Sequence, residues 1–115
     1  MAHSLNDIAY CVEYFYAKPG CREQLIESLL KLVPLSKAEI GCLQYDLMQD
    51  NKNPDLIILL VKFENIQMLR QHENQNFIKE FSENEMKKYC EKLIWNDARG
   101  LSFPIYERGS RDFFQ

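Results

Sequence analysis

The residues whose types could carry chemistry are two histidines, four cysteines and one carboxylate inside an apolar strand. His3 stands near the N-terminus, so His72 is the one internal imidazole. Its spacing from Ile66 and Leu69 places it on the inward face of a helix. A histidine there can serve as general base or acid near neutral pH, or it can end its helix by bonding a backbone carbonyl. Two histidines are too few for a His-rich metal site, and no metal is expected. Glu13 sits in the greasy segment Ile8 to Ala17. On a helix-covered face it requires a partner, and His72 or Lys62 could serve; with the opposite parity it lies at a subunit interface or an edge. The interface is the expectation carried forward. Tyr45, Phe63, Phe77, Phe81 and Trp95 could line a site for a flat aromatic ligand or simply pack the core. Cys11, Cys21, Cys42 and Cys90 show no CxxC spacing and read as reduced, small hydrophobes. Glycine-rich phosphate loops, GxSxG and HExxH are missing.

The elements that must position these groups follow from periodicity. Ile8 to Ala17 is rich in β-branched and aromatic residues and ends at Lys18, Pro19 and Gly20, a strand and its turn. Tyr10, Val12, Tyr14 and Tyr16 point one way; Ala9, Cys11, Glu13 and Phe15 point the other. From Cys21 to about Leu35 the period turns helical, with Leu25, Leu29, Leu32 and Val33 in one stripe and Pro34 expected to kink or finish it around Val33. Cys42 to Gln49 reads as a second strand with Leu43, Tyr45 and Leu47 on its apolar face. Asp50 to Pro54 forms a hairpin turn, and Leu56 to Phe63 is a third strand. Asn65 is a suitable N-cap for the helix bearing His72. A further helix carries Phe77, Ile78 and Phe81, and Met86, Tyr89, Cys90 and Leu93 extend it as a third piece. Gly100 breaks the pattern, and Leu101 to Glu107 is expected as the last strand, at an edge or a bulge because Pro104 cannot donate to a ladder.

The order is β-α-β-β-α-β, a ferredoxin-like α+β fold with an antiparallel sheet. Its 115 residues fit one domain, with a core from about 8 to 107 and a tail from 108 to 115 whose Phe113 and Phe114 are expected to dock on the subunit or its partner. Helices cover one face of such a sheet, yet the first and third strands are apolar on both. A second copy packing sheet to sheet is the simplest cover, so a homodimer is expected. The net charge of −3 with scattered Lys and Arg lacks the footprint of a nucleic-acid binder. No apolar run approaches membrane-span length and no signal peptide is read, which makes the cytoplasm the expected location.

Taken in order, several stretches resemble the antibiotic-biosynthesis monooxygenase family. They are Lys18-Pro19-Gly20 before the first helix, Ser36 through Asp46, Gln49-Asp50, Asn53-Pro54, and the spacing from Phe63 to His72 and Phe77. The likeness runs from about Ile8 to Phe81. It implies a dimeric α+β barrel with a pocket between helices and sheet in each subunit. It also implies a cofactor-independent oxygenase that deprotonates a quinol- or anthrone-like substrate, whose carbanion then reacts with O2. In that reading His72 is the base or hydrogen-bond donor, and Phe63, Tyr45, Phe77, Phe81 and Glu13 contact a small aromatic substrate. Val61 and Phe63 replace the Glu-x-Trp frequent in the family, Asn76 replaces a His, and Lys37 stands for an Arg. Those departures keep two alternatives open: a non-catalytic ligand-binding dimer, or an isomerase of a small phosphorylated sugar-like ligand.

Overall fold

In a computed structural model, residues 7–102 are described. The elements are β1 (Ala9–Ala17), α1 (Arg22–Lys37), β2 (Cys42–Gln49), β3 (Leu56–Phe63), α2 (Ile66–Glu73), α3 (Asn76–Glu83), α4 (Glu85–Tyr89) and β4 (Cys90–Arg99). The sheet is antiparallel in the order β2-β3-β1-β4, so the two strands that are apolar on both faces occupy its centre. Ala9, Cys11, Phe15 and Ala17 of β1 and Ile57, Leu59, Val61 and Phe63 of β3 are buried on one face. There they meet Leu25, Leu29 and Leu32 of α1, Leu69 of α2 and Phe81 of α3. This period-two pattern against a helical stripe is the ferredoxin-like arrangement.

Four expectations need correction. Pro34 does not end α1, which runs to Lys37. Pro34 is exposed and the carbonyl it leaves without an amide belongs to Leu30, itself 53% exposed, so the missing hydrogen bond falls on the solvent side of the helix. The last strand is not Leu101 to Glu107: β4 occupies Cys90–Arg99, and α4 ends at Tyr89. Cys90 and Leu93 therefore belong to a strand rather than to a third helical piece. β4 lies at an edge of the sheet and pairs with β1 from Ala9↔Arg99 to Ala17↔Cys90. Its Asn96 and Asp97 are poor strand formers, and the long ladder overrides their propensity. Residues 103–107 and the paired phenylalanines lie outside the described residues. Finally, Leu43 leaves the apolar face of β2, because the register shifts between Cys42 and Gln44 and leaves Leu43 44% exposed.

Gly41 links fold to site. Its φ of +89° suits glycine, and a Cβ there would run into the Met68 side chain of α2. The α1–β2 connection can thus lie directly against α2.

Candidate active site

That close approach brings Glu39, three residues before β2, against His72 near the end of α2. Asn65 caps α2 by accepting from the Met68 amide at 2.9 Å, which sets the helix so that Leu69 and His72 face inward. His72 is 4% exposed, and its Nδ1 lies 2.7 Å from Glu39 Oε2. In a neutral imidazole the Nδ1–H donates to that carboxylate, which leaves the Nε2 lone pair as the basic end. The structure therefore gives His72 a carboxylate partner instead of the backbone carbonyl considered from the sequence. Gln75 Nε2 approaches the other Glu39 oxygen at 3.5 Å.

Three aromatic residues hold the imidazole. Phe63 lies at a centroid distance of 5.2 Å and a tilt of 34°, Tyr45 edge-on at 5.3 Å, and Phe77 edge-on at 6.3 Å. Beside His72 is a cavity of about 70 Å³, lined among others by Glu13, Tyr45, Leu69, Phe81 and Met86. His72, Tyr45, Phe81 and Glu13 are thus brought together around one space. Phe63 and Phe77 pack on the imidazole and do not line the cavity, and Trp95 is 58% exposed on β4.

Glu13 is not on the outer face taken as the expectation. It projects from the helix-covered side of β1, in register with Leu59 and Trp95 and in parity with the buried Cys11 and Phe15. The strand's even-numbered tyrosines take the other face, which is the parity that β3 imposes. Neither His72 nor Lys62 is its hydrogen-bond partner; the Cys11 thiol donates to its Oε2 at 3.7 Å. Burial pushes the Glu13 carboxyl up to about 7, against the lowering effect of that thiol, and the charges of Glu73 and Asp97 add to the rise. Burial likewise pushes the Cys11 thiol well above its ordinary range, so it stays protonated and unreactive. The Tyr45 hydroxyl is raised by burial too and remains a neutral donor.

The residue missed from sequence is Glu39. It lies 33 positions from His72, so no local spacing could pair them; the only signal was its place inside Ser36–Asp46. A larger open groove of about 620 Å³ runs along Ile8, Asn65, Ile66, Asp97 and Arg99. It contains neither His72 nor Glu13, so the small cavity is the better candidate despite its size. Among the described residues no three His, Cys, Asp or Glu side chains gather as a metal site, and no helix is long and apolar enough to cross a membrane.

A family model described as antibiotic biosynthesis monooxygenase matches residues 8–84, two-thirds of the chain, from β1 to the end of α3. The chain belongs to the antibiotic biosynthesis monooxygenase family. Similar solved structures include protein SO0527 from Shewanella oneidensis, 25% identical, covering 83% of this chain and 92% of that one with a TM-score of 0.81. Protein PA3566 from Pseudomonas aeruginosa is 27% identical, with coverages of 87% and 100% and a TM-score of 0.80. A candidate antibiotic biosynthesis monooxygenase from Nitrosomonas europaea is 15% identical, with coverages of 86% and 95% and a TM-score of 0.78, and shares the fold. No curated protein matches the chain. The monooxygenase-family fold thus extends through β4, beyond the part matched in sequence, because the sheet needs its fourth strand beside β1.

Proposed function

We propose that this chain is a cofactor-independent monooxygenase that acts on a small aromatic, quinol-type substrate with O2. His72 takes a proton from a phenolic oxygen or from the carbon it activates, and Glu39 holds the imidazole so that Nε2 is the accepting nitrogen. The electron-rich anion then reduces O2 directly. For a quinol, one oxygen atom enters the ring as a hydroxyl, the other leaves as water and the product is the hydroxyquinone. For a CH2 between aromatic rings, one oxygen atom becomes C=O and the other leaves as water. Four electrons are balanced in either case. The buried His72–Glu39 pair beside a cavity carries this reading.

The cavity's volume sets a condition. At about 70 Å³ it is smaller than the roughly 150 Å³ that accommodates benzene in a protein core. Substrate entry therefore requires an outward movement of α3 and α4, where partly buried Ile78 and Met86 form the wall. Oxygen consumption with menadiol or an anthrone tests the assignment. Turnover that His72→Ala lowers by about 10²-fold or more is expected. Turnover no faster than in buffer, or unaffected by His72→Ala, overturns it.

The same small volume favours one second reading, a dimer that binds a ligand without converting it. Thermal protection by a phenolic ligand recovered unchanged in the presence of O2 would select it. An isomerase acting on a phosphorylated ligand is disfavoured, because the cavity lining contains Glu13 and Glu73 and neither Lys nor Arg. We assign the outer sheet face, with Tyr10, Val12, Tyr14, Ile58 and Leu60, to a second copy of the chain; these residues are only partly buried in one subunit.

A further inference from the structure

We propose that Glu13 determines the specificity of the cavity: from the sheet side it accepts a hydrogen bond from a second hydroxyl of the substrate, and it excludes anionic ligands. This rests on the oxygenase reading only for the aromatic character of the ligand. Glu13 stands on the central strand β1, between Leu59 and Trp95 in register and between Cys11 and Phe15 along the strand. A carboxyl kept there for structure alone would be matched by a cation or by backbone amides. Its one hydrogen bond among the described residues comes instead from a thiol, a weak donor, at 3.7 Å. Glu13 is only partly buried and lines the cavity, so its remaining acceptor capacity is open to a ligand there.

His72 enters the same cavity from α2 and Glu13 from β1, so a hydrogen-bonding group stands on its helical wall and another on its floor, with Glu73, Ser82 and Tyr45 also in the lining. A ligand with hydroxyls at both ends of an apolar ring satisfies both groups at once. A monohydroxy ligand covers Glu13 and leaves it with only the weak thiol donor, which is the condition under which a polar pocket discriminates most strongly. Glu73 adds a second carboxyl to the lining but is paired with Arg70 at 2.9 Å, so the uncompensated charge that a carboxylate or phosphate on the ring meets is that of Glu13. The groups facing Glu13 are Cys11 on its own strand, Asp97 on β4, Tyr45 on β2, and His72 and Glu73 on α2. All are neutral or acidic except the imidazole, and the two acids, Asp97 and Glu73, are both paired with Arg70.

The test is calorimetric binding of hydroquinone, 4-methoxyphenol and 2,5-dihydroxybenzoate to the whole chain without oxygen. Wild-type protein is expected to bind hydroquinone at least tenfold more tightly than 4-methoxyphenol, and to reject the benzoate. Glu13→Leu should erase the preference for the diol. Glu13→Gln keeps an acceptor, so it should retain that preference while gaining tenfold or more for the benzoate. Thermal unfolding confirms that both variants are folded. No hydroquinone binding by the wild type, or a diol preference that survives Glu13→Leu within twofold, overturns the assignment. Because binding is measured anaerobically, failure to consume O2 would remove the oxygenase reading and leave the Glu13 assignment standing.

Discussion

At the residue scale, the site depends on two carboxylates with opposite situations. Glu39 is paired with an imidazole, and both side chains are largely removed from solvent, at 13% and 5% exposure. Removing one member of such a pair strands the other, so Glu39→Ala is expected to cost about 3 kcal/mol of stability as well as activity. Glu39→Gln keeps an oxygen near Nδ1 and should fold, while losing about 10²-fold in turnover because the amide holds the imidazolium poorly; unfolding curves and oxygen uptake measured together separate the two effects. Glu13 has no cation, and its carboxyl rises from the ordinary 4.5 to about 7 on folding. The folded state therefore binds that proton more tightly than the unfolded chain. This stabilisation is complete below pH 4.5 and is lost as the pH rises through 7. Glu13→Gln should match the wild type near pH 4 and exceed it at pH 8 by about 1–3 kcal/mol in urea unfolding. A stability difference that stays flat across this range would count against an enclosed carboxyl.

At the element scale, α1 and α3 form the outer wall of the cavity. Leu32 and Phe81 line both the inner cavity and an open groove of about 310 Å³ between these helices. Phe81 also packs edge-on against Phe15 of β1 at 6.1 Å, so its ring stands between the groove and the cavity. Shortening it with Phe81→Leu is expected to cost roughly 1–3 kcal/mol and to improve binding of two-ring quinols over single-ring ones. Titrations with both ligand sizes check this, and unchanged size selectivity would place the entrance elsewhere. The C-terminal end of α1 matters in a different way. Its continuation past Pro34 buries Ser36 and delivers the Glu39–Gly41 connection to α2. A proline that reads as a helix stop in one dimension is harmless when the carbonyl it abandons faces water.

At the scale of the whole molecule, the sheet carries helices on one face, while the other bears a row of tyrosines and aliphatic side chains. Leu60 pairs with Val12 at the centre of that face. Leu60→Arg is expected to turn a dimer into a monomer by sedimentation and to lower its melting temperature; a wild-type monomer at tens of micromolar would refute the dimer. The strand-helix order, the two-sided apolarity of β1 and β3 and the inward placement of Leu69 and His72 on α2 were legible in the residues, although Ile66, read on the same face, is 40% exposed. Each is written in a local period that burial enforces over a few turns or a few strand positions. The end of the chain was less legible, since Leu93-Ile94-Trp95 is a short apolar run that suits helix or strand, and only an open edge of β1 decided between them. The side of the sheet that receives Glu13, and the meeting of Glu39 with His72, were likewise decided by tertiary structure. A one-residue change of register reverses a strand's face, and two residues 33 positions apart meet only because Gly41 allows a loop to lie flat against a helix.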